Sequence, residues 1–550
     1  METIVKRAIR AAQKRVKSLL MDWEEMKQER LPFETEWQKI GDYILPRRDM
    51  NITRAKGSLR TKKLADNKGV VANERLAATL HGFLMSPFTP WVMPNLLERD
   101  ASHDEEVWFD AVAKRMHAHF SGSASNFRVH MAEDMLDSTA FGSSILFIGT
   151  GKSGPTYMSV PLMRSWWREN EQGVIDTVDR TFDLTLRKAV QRYPHSAELK
   201  EKIKRDGANE SELIEFLHVV QPREGGRENA ARVFKNFEDI VIYVEGGEVV
   251  DVGGHDQFPY APGRLQRRSG EAYGYGPGWT ALPNIISANS IMEAISRNTE
   301  QRADPTMFSI LPNARNLIDR RPGAINSIMG LENLGISNIN DAIQTLDAGG
   351  DVGVGYQLLE LLYRGIDFSF YVDWLRPNEG PQKTATEVID NRDLRLRSMS
   401  PLVARLEQEK LTNIVERTFV LEKAAGHFPP MPESLDKHEL GFEYRSPVAQ
   451  AQRQSEVEAM MRTFDFAAVA AQFDPDAPKV LDAQEMLRDA ARANGAQAKY
   501  VRSRETVAAQ TAQEQAAAQN SQELDQTLIG AQALQAGGQG LANLETAGVA

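Results

Sequence analysis

No cysteine occurs among the 550 residues of this chain. Its absence excludes disulfide bonds, a thiolate nucleophile and zinc sites built from cysteine. A chain without disulfides also fits a protein that matures in a reducing cytoplasm. The length exceeds that of one compact hydrophobic core, so several substructures are expected.

Long hydrophobic runs are missing as well. No apolar stretch approaches the roughly 18–20 residues that a membrane-spanning helix needs. The N-terminal segment METIVKRAIRAAQKRVKSLL intersperses basic and apolar residues, and so predicts an amphipathic helix rather than a signal peptide. We therefore expect no membrane binding by this chain.

The chain also lacks an excess of positive charge. It has 65 Lys and Arg residues against 76 Asp and Glu residues, which gives a formal net charge of −11. A protein that coats DNA needs a basic face to displace counterions from the phosphates. The charge therefore excludes a general DNA-coating protein.

The hydrophobic pattern predicts an α+β protein that is mostly helical. Between residues 143 and 260, β-prone runs alternate with two short helical segments, and Glu245-Gly246-Gly247-Glu248 predicts a hairpin. A strand is also predicted over 439–445. Helical spacing of apolar residues predicts helices over 1–45, 65–85, 104–120, 126–141, 281–302, 356–372 and 385–424, and again from about 447.

Proline and glycine refine these predictions. Pro283 suits the first turn of the helix over 281–302, and Pro401 should kink or split the helix over 385–424. Residues 305–350 are rich in Pro, Gly and Asn, which predicts a loop-rich module containing some β-structure. Beyond about residue 505 the Ala/Gln-rich chain predicts a helix that frays into a disordered tail.

The segment ILFIGTGKSG (145–154) looks like the second half of a phosphate-binding loop. A Walker loop needs a first glycine at position 146, where this chain has Leu146, and it needs a helix after the serine. Here an early proline and β-prone residues follow instead. The segment therefore predicts a hairpin turn in which Gly149 and Gly151 adopt positive φ. GYGPG (274–278) lacks dinucleotide-binding spacing and predicts a turn into the next helix.

The histidines provide no convincing metal site. His117 and His119 lie two residues apart on a predicted helix and point to different sides, and His81 and His103 are isolated. There is also no G-x-S-x-G motif for a serine nucleophile.

The acidic residues suggest structural roles. Asp474 and Asp476 precede a predicted helix, where capping is expected. The carboxylates of MAEDMLDST (131–139) are expected on a solvated helix face. We therefore predict no catalytic residue, no cofactor and no metal, and so long a chain without such a site indicates part of an assembly.

An ordered series of segments resembles the head-to-tail connecting, or portal, proteins of short-tailed, podovirus-like bacteriophages. The resemblance covers roughly residues 20–510 and depends on the order and spacing of all the segments rather than on one motif. The segments are WQKIGDYILPRR (37–48), DNKGVVANERLAATLHGFLMSPFTPWVMP (66–94), FGSSILFIGTG (141–151), WRENEQGVIDTVDRTFDLT (167–185), PYAPGRLQRRSGEAYGYGPGWTALPNI (259–285), TATEVIDNRDLRLRSMSPLVARLEQEKLTNIVER (384–417) and FEYRSPVAQAQR (442–453).

The resemblance implies a homo-oligomeric ring, usually a dodecamer, at the unique capsid vertex of the virion. Double-stranded viral DNA would enter and leave through its axial channel. Implied partners are terminase during packaging, tail adaptor and tail proteins, and the major capsid and scaffolding proteins, with assembly in the host cytoplasm. The implied layout is a wing over 1–280, stem helices over 281–302 and 356–372, a clip over 303–355, a tunnel loop over 373–386, a long helix returning to the wing over 387–446, crown helices over 447–510 and a partly disordered tail over 511–550.

The implied tunnel loop supplies the candidate DNA contacts Arg376, Asn378, Gln382 and Lys383. An acidic ring repels the DNA backbone, so a few cationic contacts at a constriction would let DNA slide. The alternative for these residues is that they are ordinary solvated loop residues.

Two other functions remain open from the sequence. A nucleotide-driven packaging motor would require an intact Walker loop followed by an acidic strand end, and the chain shows neither. A different ring-forming protein such as a tail adaptor is usually much shorter, and it would not need long helices on both sides of a clip-like insert.

Overall fold

The computed structural model describes residues 2–46, 61, 63–86, 88–151, 154–205, 209–223, 235–304, 307–309, 343–345, 352–372, 401–436, 438–445, 447–474, 476–522, 527 and 529. Its helices are α1 (Glu2–Tyr43), α2 (Lys68–Leu84), α3 (His103–Ser121), α4 (Phe127–Phe141), α5 (Leu186–Arg192), α6 (Ala197–Lys204), α7 (Pro277–Ala303), α8 (Val352–Ser369), α9 (Thr412–Ala424), α10 (Pro447–Ala470) and α11 (Ala483–Ala493). Its strands are β1 (Val92–Leu96), β2 (Ser143–Gly151), β3 (Gly154–Ser159), β4 (Ser165–Glu169), β5 (Ile175–Thr185), β6 (Leu213–Pro222), β7 (Phe237–Tyr243), β8 (Glu248–His255), β9 (Tyr260–Arg264), β10 (Met307–Ser309), β11 (Ile343–Thr345) and β12 (Leu440–Tyr444).

The chain divides into two compact units. The first comprises Met1–Trp91 and Met116–His427, and the second comprises Val92–Arg115 and Phe428–Ala550. Each unit combines helices with antiparallel strand pairs, which confirms the α+β class. Within the described ranges, no helix is long and apolar enough to cross a bilayer.

A five-stranded antiparallel sheet in the order β4-β5-β6-β7-β8 lies in the first unit. Successive residues of β6 and β7 face opposite sides, as the strand period of two requires. On one side, Val16, Leu19 and Trp23 of α1 pack against the sheet, and Trp23 meets Trp166 edge to face at 5.5 Å between ring centroids. Helices α5 and α6 cover the other side around Phe216. Because both faces are covered, the strands carry the near-continuous apolar runs seen in the sequence.

The predicted turn at 149–154 is a hairpin, but its glycines differ from expectation. Strand β2 pairs with β3 so that Gly149 faces Thr156 and Gly151 faces Gly154, and β2 also pairs with β9. Neither Gly149 nor Gly151 has positive φ, since both lie inside β2; Gly154 has φ +117°. The prediction of positive φ at the two earlier glycines was therefore wrong. Lys152 and Ser153 lie outside the described residues, and strand β3 follows them.

The glycines of GYGPG are needed for close packing of backbones. A Cβ on Gly274 would lie 2.5 Å from the carbonyl oxygen of Gly142, and one on Gly276 would lie 2.8 Å from Gly142 Cα. A Cβ on Gly278 would lie only 2.1 Å from the carbonyl oxygen of Ala140. The segment therefore crosses the end of α4 at backbone contact and then begins α7, which confirms the predicted turn into a helix.

Helix α7 begins earlier than predicted. Pro277 occupies its first position, so Pro283 lies inside the helix rather than in its first turn. The fixed φ of proline suits the start of a helix, and here Pro277 takes that position. Pro283 has no N–H to donate to the carbonyl group of Trp279, which costs the helix one bond.

The other predicted elements of the first unit are found where the chain is described. Helix α8 corresponds to the prediction over 356–372, and β7 and β8 form the predicted hairpin with Gly247 at φ +57°. Within 303–355, the short strands β10 and β11 pair antiparallel. Residues 373–400 lie outside the described ranges, so the effect of Pro401 on the preceding helix is not described. From Pro401 to Ala424 the chain is helical.

The second unit is organised around a buried carboxylate. Glu105 accepts two hydrogen bonds from Arg99, at 2.6 and 2.8 Å, and others from the Ser434 hydroxyl and the Ser102 N–H. The Arg99 guanidinium holds the pKa of Glu105 far below its usual value. Strand β1 pairs with β12 beside this cluster, with Val92 opposite Tyr444, so the predicted strand over 439–445 is confirmed.

The acidic residues before α11 have local roles. Asp474 accepts a hydrogen bond from the Asp476 N–H, and Asp476 pairs with Lys479 at 2.6 Å. The N-cap of α11 is Asp482, which accepts from the N–H groups of Gln484 and Glu485. The expected capping role therefore belongs to a later aspartate. Residues 504–522 form a further helix that is exposed along most of its length.

Substitution of Gly278 by alanine should destabilise the first unit strongly. The new Cβ would overlap the Ala140 carbonyl group, which is backbone and cannot rotate away, so we expect a loss of about 3 kcal/mol or more. Gly82→Ala in α2 is the control, because a Cβ there meets nothing within 4 Å and should be neutral or stabilising by about 0.5–1 kcal/mol. Chemical denaturation of both variants measures the difference. Equal stability of the two variants would contradict the close crossing.

Candidate functional site

The predicted DNA contacts are not themselves described by the structure. Arg376, Asn378, Gln382 and Lys383 all lie in the segment 373–400, outside the described residues. The structure does describe the elements on both sides of this segment. It therefore describes the two supports of the candidate site: the helices that lead into the segment and the helical turn that follows it.

The first support is the pair formed by α7 and α8. Two glycines of α8 face α7: a Cβ on Gly355 would lie 3.2 Å from Ile295, and one on Gly365 would lie 2.7 Å from Asn284 Nδ2. Residue numbers rise on one helix as they fall on the other, so the helices run antiparallel. The missing side chains let the two backbones approach closely.

Helix α2 holds the same pair from one side. Lys68 forms a salt bridge of 2.7 Å with Asp367, which is only 5% exposed. Asn289 of α7 accepts hydrogen bonds from the N–H groups of Ala65 and Asp66 at 2.9 and 3.1 Å. These polar contacts fix α8 to the start of α2, and α7 to the residues just before α2.

Helix α8 ends in a sharp turn just before the undescribed segment. The Phe370 N–H donates to the Ile366 carbonyl and the Tyr371 N–H donates to the Phe368 carbonyl. Tyr371 has φ +57°, a left-handed conformation that is uncommon for a residue with a side chain. Phe370 and Val372 are buried on either side of it. Burial of both neighbours holds the strained turn in place and sets where the chain leaves the helix.

The second support is a π-helical turn over Leu406–Leu411, directly before α9. Lys410 in this turn is fully buried, and its Nζ donates to Asp134 Oδ2 at 2.5 Å and to Ser144 Oγ at 2.7 Å. Burial lowers the pKa of Lys410, and the neighbouring Asp134 opposes that shift. Gly263 of β9 leaves room for the lysine, because a Cβ there would lie 2.3 Å from Lys410 Cε. The lysine thus joins α4, β2 and β9 to the turn.

The position of Asp134 corrects the sequence-based expectation for MAEDMLDST. Asp134 is fully buried and Asp137 is 2% exposed, so these two carboxylates are not solvated, whereas the Glu133 side chain is 45% exposed. The helix has buried residues on most of its sides because it packs against α2, β2, β3 and α7. The expectation failed because the partner of Asp134 lies 276 positions away in the sequence.

The residue before Lys410 makes an ion pair toward another strand. Arg264 at the end of β9 is 1% exposed and donates to both carboxylate oxygens of Glu409, at 3.0 and 3.1 Å. Arg264 also pairs with Glu169 of β4. Glu409 and Lys410 therefore bind different parts of the first unit. A π turn adds a residue to the helical repeat, and in this turn both charged side chains reach partners.

Helix α9 continues these contacts about two turns later. Arg417 donates from Nε to the Ile148 carbonyl at 3.0 Å and from Nη1 to the Gln257 carbonyl at 2.8 Å. Burial lowers the pKa of Arg417 to about 10. The Thr418 hydroxyl lies 2.6 Å from the Tyr157 hydroxyl of β3. Both strands of the hairpin that flanks residues 152 and 153 are therefore bound to α9.

Four histidines of the first unit lie beside buried or partly buried carboxylates. Glu422 lies within 3.0 Å of His119 and 2.9 Å of His427. Asp239 likewise lies between His218 and His255, at 2.7 and 2.8 Å. Within the described ranges, no three His, Asp or Glu side chains are placed to hold a metal ion.

The sequence contains a signal that could have identified this support. Lys410 and Arg417 are seven residues apart, and Ile414 between them is fully buried. All three therefore share one helix face. A charged residue that lies on the same helix face as buried apolar residues indicates a buried ion pair or hydrogen-bond network. The partners on α4, β2 and β9 could not be identified from this pattern.

Removal of the Lys410 amine should cost much more than removal of an exposed lysine. We expect Lys410→Met to destabilise the first unit by about 3–5 kcal/mol, because Asp134 would be left buried and unpaired. The double variant Lys410→Met, Asp134→Leu should recover most of this loss. Denaturation curves of the purified chain measure the effect, with the exposed Lys423 of α9 as the Lys423→Met control. A loss below about 1 kcal/mol for Lys410→Met would contradict the buried pair.

Comparisons with known proteins identify the family to which the chain belongs. The family model described as bacteriophage head to tail connecting protein matches residues 16–501. The "Probable portal protein" of Bordetella phage BPP-1 is 26% identical over 469 residues, covering 80% of this chain and 81% of the relative. The "Portal protein" of Salmonella phage epsilon15 is 23% identical over 542 residues, covering 92% of this chain and 95% of the relative. The chain belongs to the family of bacteriophage head to tail connecting proteins.

Proposed function

We propose that this head to tail connecting protein is the subunit of a portal, a ring at one vertex of the capsid. The viral genome would be packaged and later ejected through the axial channel of this ring. The observation that carries the proposal is the family match over residues 16–501, together with two portal proteins that cover 80% and 92% of the chain. A match of this extent includes both supports of the candidate site.

The proposed layout assigns the stem to α7 and α8. These helices pack antiparallel and flank residues 304–351, as two stem helices would flank a clip, and the paired strands β10 and β11 lie in that interval. The full proposed layout is wing 1–280, stem 281–302 and 356–372, clip 303–355, tunnel loop 373–386, long helix and return to the wing 387–446, crown 447–510 and tail 511–550.

The tunnel loop would lie beside the DNA between two rigid supports. Its proposed contacts are Arg376, Asn378, Gln382 and Lys383. The preceding turn is fixed by buried Phe370 and Val372, and the following helix is fixed by Lys410. Rigid supports would keep a short segment at a constant distance from the channel axis while DNA moves past.

The proposed partners follow from this place in the virion. They are other copies of this chain in a ring of usually twelve, the viral DNA in the channel, terminase during packaging, tail adaptor and tail proteins afterwards, and the major capsid and scaffolding proteins around the vertex. Assembly would take place in the host cytoplasm, and the ring would remain in the virion.

We propose no catalytic activity for the chain itself. Strands β2 and β3 flank residues 152 and 153, whereas a Walker loop joins a strand to a helix. Packaging energy would then come from a separate ATP-driven terminase. A motor subunit is the alternative, and ATP hydrolysis by the pure chain would favour it.

Purified protein should form rings with an axial hole wide enough for duplex DNA in negative-stain electron micrographs. The same preparation should show no ATP hydrolysis in the presence of DNA. A monodisperse monomer under all conditions would overturn the portal proposal. Rings that hydrolyse ATP when DNA is added would overturn the non-catalytic part alone.

The double variant Arg376→Ala, Lys383→Ala should form normal rings but package less DNA in a terminase-dependent packaging assay. The reason is that two cationic contacts to phosphate would be lost at the constriction. The double variant Arg187→Ala, Lys188→Ala on the exposed side of α5 removes the same two charges, serves as the charge-matched control and should package normally. Normal packaging by the double variant would identify the two residues as ordinary loop charges.

A further inference from the structure

A carboxyl group lies buried between α1 and the five-stranded sheet. Asp179 is on β5, and it is only 1% exposed. It stands directly opposite Trp166 of β4 and directly opposite Val219 of β6. Both of these residues belong to the apolar cluster that packs under α1. Because opposite residues of paired strands project from the same side of a sheet, Asp179 points toward α1.

This buried carboxyl group is not fully hydrogen-bonded. Among the residues that the structure describes, Asp179 Oδ1 has no hydrogen-bond partner. The indole N–H groups of Trp23 and Trp166, in the same interface and the same described part of the chain, are also buried without a partner. A buried polar atom without a hydrogen bond carries the cost of its lost hydration. Helix α1 therefore docks over a carboxyl group whose burial is not compensated.

The charged side chains nearest to Asp179 do not compensate it either. Arg168 approaches from β4, but its guanidinium lies 3.0 Å from Glu25 and 3.7 Å from Glu29 of α1. Asp22 approaches from α1 and carries the same charge as an ionised Asp179. Burial raises the pKa of Asp179 well above its usual value, Arg168 opposes that shift, and Asp22 adds to it. Under the docked helix, Asp179 therefore keeps its proton at a pH where a hydrated aspartate is ionised.

Other charged side chains of this interface have partners of their own. Arg30 of α1 lies over the Trp166 ring, 4.2 Å from its centroid, and donates to the Ser165 carbonyl at 2.6 Å. Arg15 of α1 pairs with Glu238 of β7 at 3.1 Å. These contacts hold α1 on the sheet, and they use cations that would otherwise be available to a buried carboxylate.

Helix α1 is the element whose movement would bring water to Asp179. Strand β5 lies between β4 and β6 and is held by ladder pairing on both sides. A helix on the surface of a sheet opens at a lower free energy than the centre of the sheet. The side chains through which the middle of α1 contacts the sheet are Ala12, Val16, Leu19, Trp23 and Met26.

We propose that Asp179 makes the docking of α1 on the sheet proton-dependent, so that α1 is held most firmly in acid and opens more readily as the pH rises. In acid, the docked and the open forms both carry the proton. Above the usual aspartate range, the open form ionises while the docked form stays neutral. Each further pH unit then favours opening about tenfold, until Asp179 ionises under the docked helix as well. The proposal concerns contacts within the first unit and does not depend on the proposed ring.

Amide hydrogen exchange of the purified chain, read by mass spectrometry on peptides from residues 12–26, tests this between about pH 5 and pH 8. The unmodified chain is compared with Asp179→Asn at each pH, because the ratio of their rates cancels the base catalysis of exchange. We expect slower exchange of α1 in Asp179→Asn, with a ratio that grows about tenfold per pH unit until it levels off. Asp179→Val is a second neutral variant and should give the same pH dependence.

Asp176→Asn is the matched control. Asp176 lies on the same strand as Asp179 but is partly exposed, and it accepts a hydrogen bond from the Thr177 hydroxyl that an asparagine oxygen can also accept. The exchange rate of α1 in this variant, relative to the unmodified chain, should not change with pH.

Three results would overturn the proposal. A ratio for Asp179→Asn that is constant across the pH range would show that α1 opens without ionisation of Asp179. Faster exchange of α1 in Asp179→Asn at neutral pH would show that an ionised Asp179 anchors the helix instead. Equal changes in peptides from β6 and β7 would show that the whole unit opens rather than α1.

Discussion

The buried pair of Lys410 and Asp134 is the constraint around which the first unit is organised. A charged lysine amine is stable in a fully buried site where an opposite charge and further hydrogen-bond acceptors meet it. Asp134 and Ser144 meet that requirement here, and Gly263 leaves space for the lysine stem. These contacts fix the position of the π turn that precedes α9. The Arg264 contact with Glu409 and the close approach of β9 at Gly263 hold the same turn.

The strands on either side of residues 152 and 153 are bound to the helix that follows Lys410. Strands β2 and β3 form a hairpin against α9, where Arg417 and Thr418 bind one strand each. Gly154 is packed so closely that a Cβ there would lie 2.6 Å from Glu422 Oε1. A phosphate loop needs free N–H groups at the start of a helix, whereas these flanking strands use theirs in sheet pairing. Because paired strands lie on both sides of residues 152 and 153, the chain there lacks the following helix that a nucleotide-binding loop requires.

The portal proposal depends on a short segment that has few cationic side chains and is held between two rigid supports. An acidic chain repels DNA, and only a few cations near the constriction would touch the phosphates. These supports are described on both sides of that segment. Lys68 and α7 hold α8, which precedes the segment, and Lys410 holds the helical turn that follows it.

The sequence by itself determined where most helices and strands lie, because helical and strand periods of hydrophobic residues are local. It also predicted the hairpin at Glu245–Glu248, and the order of its segments identified the family. It misjudged Pro283, the φ angles of Gly149 and Gly151, and the acidic face of α4. Only the tertiary structure decided the first and the last of these, because each depends on a partner far along the chain: Ala140 beside Gly278 at the start of α7, and Lys410 beside Asp134. The φ angles of Gly149 and Gly151 depend instead on how far the pairing of β2 with β3 extends. Whether a charge is buried depends on tertiary packing, and the local hydrophobic periodicity does not identify the partner that makes this burial possible.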